Sequence, residues 1–248
     1  LGWPPGDQVT VDAVASVVAG LQATFLLIGV GACLASQPYR PTATMDSAPL
    51  WWRDAARCIL GFCTGYMAHD SLFLVVTARR FGTPLATAEY CYLGHHFATS
   101  FCMASSQMMG AGHLSMMLLM FTGEMTSPLM NAHMVLRLAI RLQCCSAQWV
   151  HNMLAVVEYM LSILYCINRI FLGPMTAAYM TWDNLFTKQG RKNVHVLLTV
   201  VWLPLVWGVL IGSIPWIEES IEMLKDGLWN VKYGLDYDMG DRYNFDEL

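Results

Sequence analysis

From Val11 to Ala35 the chain carries no charged side chain after Asp12. A helix needs about 20 mostly apolar residues to cross the hydrocarbon of a bilayer. Only helices and closed barrels can satisfy their own backbone groups there. A run of this kind therefore predicts a membrane span, and the question becomes whether the rest of the chain joins it. Composition answers that: 56% of residues are hydrophobic and only 13% charged, against about 45–50% and about 25% in soluble domains. With a mean hydropathy of +0.43, the chain is expected to be an all-α, polytopic membrane protein.

About six spans follow in order. After Val11–Ala35, Gln37–Pro49 reads as a loop broken by Pro38, Pro41 and Pro49. Trp51-Trp52-Arg53 reads as an interfacial anchor. Asp54–Ala78, closed by Arg79-Arg80, and Leu85–Met109 are the second and third spans. The turn Gly110-Ala111-Gly112 leads to a fourth, His113–Met130, interrupted by Gly123 and Pro128. His133–Leu142 is amphipathic, with Arg137 and Arg141 four apart, and is expected at the interface. Val150–Leu172 is the fifth span. Gly173-Pro174 should end it, leaving Met175–Phe186 as a separate short helix, Lys188–Lys192 as a basic loop and Val194–Ile217 as the sixth span, kinked at Pro204. The division is residues 1–52 for the first helix and loop, 53–217 for the core and 218–248 for an acidic tail.

That tail holds nine acids and three bases, so it carries −6 of a total of −4, and the preceding residues carry +2. It reads as a solvated extension or a docking segment, its aromatic residues Trp229, Tyr233, Tyr237, Tyr243 and Phe245 suiting a larger membrane complex. Nothing supplies the basic footprint of a nucleic-acid binder. The chain begins at Leu1 without an initiator Met, which leaves room for a removed targeting segment. Loop charges are too evenly divided to orient the bundle by the positive-inside rule.

Polar groups at bilayer depth are the candidates for function, because a charged or titratable side chain there costs roughly 2.5 kcal/mol or more. They are His69, Asp70, His95, His96, Glu124, Asn131, Glu158, Asn168 and Arg169. Adjacent His95 and His96 point about 100° apart on a helix, so one faces the interior while the other faces a neighbour. That spacing does not suit one metal, and neither H-x-x-x-H nor H-E-x-x-H occurs. A bis-His haem would need His69 opposite His95 or His113, and nothing in the spacing selects it.

The order of these residues is more informative than any one of them. Gly61-Phe62-Cys63-Thr64-Gly65-Tyr66 with Asp70 comes first, then Gly94-His95-His96-Phe97-Ala98-Thr99, then Gly123-Glu124-Met125-Thr126-Ser127-Pro128 with Asn131, and last Asn168-Arg169-Ile170 before Gly173-Pro174. From about Arg53 to Trp182 the chain resembles the TLC (TRAM–LAG1–CLN8) domain family. The resemblance implies a helical barrel around a lipid-accessible cavity lined by His95, His96, Glu124, Thr126, Asn131 and Arg169. Its enzymatic branch, the ceramide synthases, carries a His-Asp pair where this chain reads Gly123-Glu124. The Arg that usually follows the Asn by two residues is here His133.

Lipid binding and lipid homeostasis without that catalysis is therefore the expected function, with membrane lipids as partners. An accessory subunit of a larger complex is one alternative. A ceramide-synthase-type acyltransferase is another, with His95, His96, Glu124 and Asp70 as its candidate catalytic residues. No metal and no cofactor is indicated beyond a lipid or acyl chain. The resemblance implies an endomembrane of ER type, with a mitochondrial or plastid inner membrane as the alternative.

Overall fold

The structure is a computed structural model and describes residues 8–37, 44–141 and 148–233. Among the described residues the protein is all-helical and contains no β-strand. Among the described residues, four stretches are long and apolar enough to cross a membrane: Gln8–Ala35, Leu50–Phe81, Gln148–Phe186 and Val196–Lys225. Together with the family identified below, these make it an integral membrane protein.

Helix α1 (Gln8–Ala35) and helix α2 (Leu50–Phe81) match the first two expected spans. Between them, Met45 donates its amide to the Gly110 carbonyl at 2.7 Å, and Thr44 pairs with Ala111. Trp51 stays exposed, but Trp52 departs from the interfacial reading. Its ring is buried and its indole donates to the Cys33 carbonyl at 3.0 Å, so it locks α2 to α1. Helix α3 (Thr87–Met109) follows. It packs against α2, α4 and α9.

The fourth expected span is two helices. Helix α4 (His113–Glu124) stops short of Pro128, and α5 (Ser127–Arg141) starts with that proline in its first turn, where a missing N–H costs nothing. Twelve residues rise only ~18 Å, too short to cross alone. Helix α5 absorbs the amphipathic segment expected at the interface. Packed against both α1 and α6, it buries His133 and Arg137 instead of lying on the membrane.

Helix α6 (Gln148–Cys166) also differs from expectation. Gly173-Pro174 does not end it, since the chain continues through a π-helical turn at Ile167–Leu172 into α7 (Gly173–Phe186). The wider turn shifts the hydrogen-bond register just before the proline, which then occupies the start of a renewed α-helix. The basic loop is a short helix, α8 (Lys188–Asn193), capped by the Thr187 hydroxyl accepting from Gly190 N–H at 2.9 Å. Helix α9 (Val196–Gly212) contains Pro204 and ends at a turn on Ser213, short of the expected Ile217. Helix α10 (Ile214–Tyr233) carries the first acids of the expected tail along α6, where Tyr159 approaches Gly227. The tail beyond Tyr233 lies outside the described residues.

Gly112 is a fixed point of this arrangement. It starts α4 at φ +72°, and a Cβ there would sit 2.8 Å from the buried Trp202 ring, whose indole donates to Ser105 at 2.8 Å. Gly112→Ala combines a left-handed conformation that costs ~1–2 kcal/mol with a clash. Its midpoint in detergent thermal melts should fall by several degrees; an unchanged midpoint would contradict this packing.

Candidate functional site

Besides His133, which lies 3.9 Å from Glu158 between α5 and α6, polar side chains gather on either side of α3. His96 is buried on the α2 side, its Nδ1 lying 3.3 Å from the Ser71 hydroxyl and 3.8 Å from an Asp70 carboxylate oxygen. Asp70 accepts from Tyr92 at 2.6 Å and, more weakly, from Tyr66 at 3.5 Å. The Tyr92 and His96 rings are 4.0 Å apart between centroids. One turn of helix sets this up, because Tyr92 and His96 are i, i+4 on α3, as Tyr66 and Asp70 are on α2. Asp70 therefore ties α2 to α3; it does not partner His69, which lies exposed on the outer face.

His95 points the other way, into a half-open central cavity of about 80 Å³ lined by α3, α4, the π-helical turn and α9. One wall is apolar: Leu205, Val206, Val209 and Leu210 of α9, with Met116 and Met120 of α4. The opposite end gathers Thr122, Glu124, Asn168 and Arg169 around His95.

The two helix irregularities place these polar groups. Glu124 is the last residue of α4, and the Ser127 side chain opening α5 hydrogen-bonds it. Asn168 and Arg169 stand on the π-helical turn, which rotates both inward. The Asn168 amide nitrogen donates to the Thr122 carbonyl, while its own oxygen, and the Nε of Arg169, lack a partner although buried. Arg169 also lies 5.5 Å from the Tyr165 ring centroid and close enough for its charge to act on both Glu124 and His95.

Of the residues expected to line a cavity, the structure brings His95, Glu124 and Arg169 together. His96 and Asp70 form the other cluster. Thr126 is buried within the α4–α5 link, its carbonyl accepting from Met130 N–H at 2.9 Å. Asn131 folds back on Ser127 at 2.8 Å, against Gly20 of α1. The cavity is also lined by Asn168, Thr122 and the α9 wall, beyond the residues that the resemblance implies. Only the polar Asn168 beside Arg169 carried a sequence signal, while the α9 residues look like any apolar span. Among the described residues, no three His, Cys, Asp or Glu side chains converge as a metal site.

The family model described as the TLC domain (TRAM_LAG1_CLN8) matches residues 12–219. The chain belongs to the TLC-domain family. The match is wider than the residues that carry the resemblance, since it takes in α1, α9 and the first turns of α10. No curated protein and no solved structure matches the chain. The family makes this a lipid-related membrane protein.

The two histidines of this TLC domain should respond differently to mutation. Tyr92→Phe removes the shortest bond to Asp70, worth about 1.5–3 kcal/mol for a hydrogen bond to a charged group. It and His96→Ala should both lower the melting midpoint by several degrees, and His95→Ala by less. Equal loss at His95 and His96 would contradict the division between the two clusters.

Proposed function

We propose that this TLC protein binds an acyl-chain lipid in the central cavity and serves lipid homeostasis, without ceramide-synthase catalysis. The observation that carries this reading is the cavity's polarity gradient, from the aliphatic wall of α9 to Arg169, Glu124 and Asn168. An acyl chain suits the first and a polar head the second, where the Arg169 guanidinium brings a positive charge. Gly123-Glu124 in place of the His-Asp pair supports assigning the chain to the non-synthase part of the family. The ER-type endomembrane expected from the resemblance is part of the same proposal.

Acyl transfer is the second reading, and His95 beside Glu124 is what favours it. A general base must reach the proton it abstracts and a partner must orient it. One histidine and one carboxylate share the cavity here, but His96 and Asp70 are engaged on the far side of α3.

Mass spectrometry of lipids co-purified with the protein tests both readings. Wild-type protein should retain an acyl lipid, and Val206→Trp, which fills the cavity from α9, should lose most of it. Protein that carries no lipid in any detergent would overturn the reading. An acyl-CoA-dependent product abolished by His95→Ala would establish the acyltransferase instead. Stoichiometric capture of partner subunits through residues 218–248, without lipid, would point to an accessory role.

A further inference from the structure

Away from the cavity, a groove of about 280 Å³ runs along the outer face where the start of α1 meets the last three turns of α2. Val11, Leu72, Phe73 and Val76 line it, with Arg80 at its outer end and His69 at its inner end. Depth can be read from α2 itself. Arg57 and Arg79 bracket ~33 Å of helix, close to the ~30 Å of bilayer hydrocarbon. Arg80 therefore stands at a headgroup level and His69 near the mid-plane. The ~16 Å of helix between them matches the depth of one leaflet.

The charge at the outer end is positive. Arg79 and Arg80 are adjacent and exposed in the last turn of α2, and Arg80 sits 5.7 Å from the Phe81 ring centroid. Glu89, at the start of α3, is held by the Ala86 amide at 2.6 Å. Asp12, next to Val11, offsets one arginine at most.

We propose that this groove holds one acyl chain of an anionic glycerophospholipid, with its phosphate on Arg80 and Arg79. The fit rests on three coincidences of place: a cation pair at headgroup level, an aliphatic channel below it, and a channel as deep as one leaflet. Selectivity over a zwitterionic lipid comes from net charge, since both headgroups carry the phosphate but only the anionic one leaves it uncompensated. A surface arginine is worth about fivefold in such binding.

Full-length protein in nanodiscs of mixed phosphatidylglycerol and phosphatidylcholine supplies the test, read by native mass spectrometry of retained lipid. A phosphatidylglycerol probe carrying a diazirine on its acyl chain maps the site. Wild-type protein should retain phosphatidylglycerol preferentially, and the label should fall on residues 72–81 and Val11. Arg80→Gln should reduce the preference about fivefold and Arg80→Lys should largely restore it. The wild-type competition stands even if a variant does not fold. Equal retention of the two lipids would overturn the proposal, as would a groove left unlabelled because another part of the chain, or a second copy, fills it.

Discussion

The hydrogen bond from the Asn168 amide to the Thr122 carbonyl joins the two places where this bundle departs from regular helix. Thr122 lies in the last turn of α4, whose final carbonyls have no partner within the helix. In a membrane such a carbonyl costs several kcal/mol unless another group reaches it. Asn168 reaches it because the π-helical turn at Ile167–Leu172 widens the α6–α7 helix there and turns the side chain inward. Each irregularity makes the other tolerable. Between them they bring Glu124, from the end of one helix, within range of the charge of Arg169, from the middle of another.

The same placement sets what the cavity can recognise. Glu124 and Arg169 line one space, yet no direct ion pair closes between them among the described residues. A closed pair would satisfy both groups and fill the gap. On the lipid-binding proposal, the open arrangement leaves the polar end for the head and the α9 wall for its chain. The Asp70 cluster is close by: Tyr66 and Tyr92, which bind Asp70, also lie within electrostatic reach of Glu124. Helix α3 thus carries a structural histidine on one face and a cavity histidine on the other.

Much of this was legible in the sequence. The apolar runs located the long helices to within a few residues, since bilayer thickness dictates their length. The 100° turn between His95 and His96 foretold their separation. Breaks were harder. Pro128 and Gly173-Pro174 look alike as helix breakers, but the first lies in the opening turn of a helix and the second is absorbed by a π-helical turn. The difference is decided by which neighbour can supply a hydrogen bond, a tertiary fact. Trp52 and Arg137 misled for a related reason. Aromatic and basic residues near span ends usually mark interfaces, and here the neighbours α1 and α6 offered them burial instead.

A density map of the purified protein in a lipid nanodisc tests the central claim most directly. The account predicts elongated density along Leu205–Leu210, ending in a head at Arg169 and Asn168, with Glu124 and Arg169 held apart. A cavity without lipid density, closed by a direct Glu124–Arg169 pair, would contradict it.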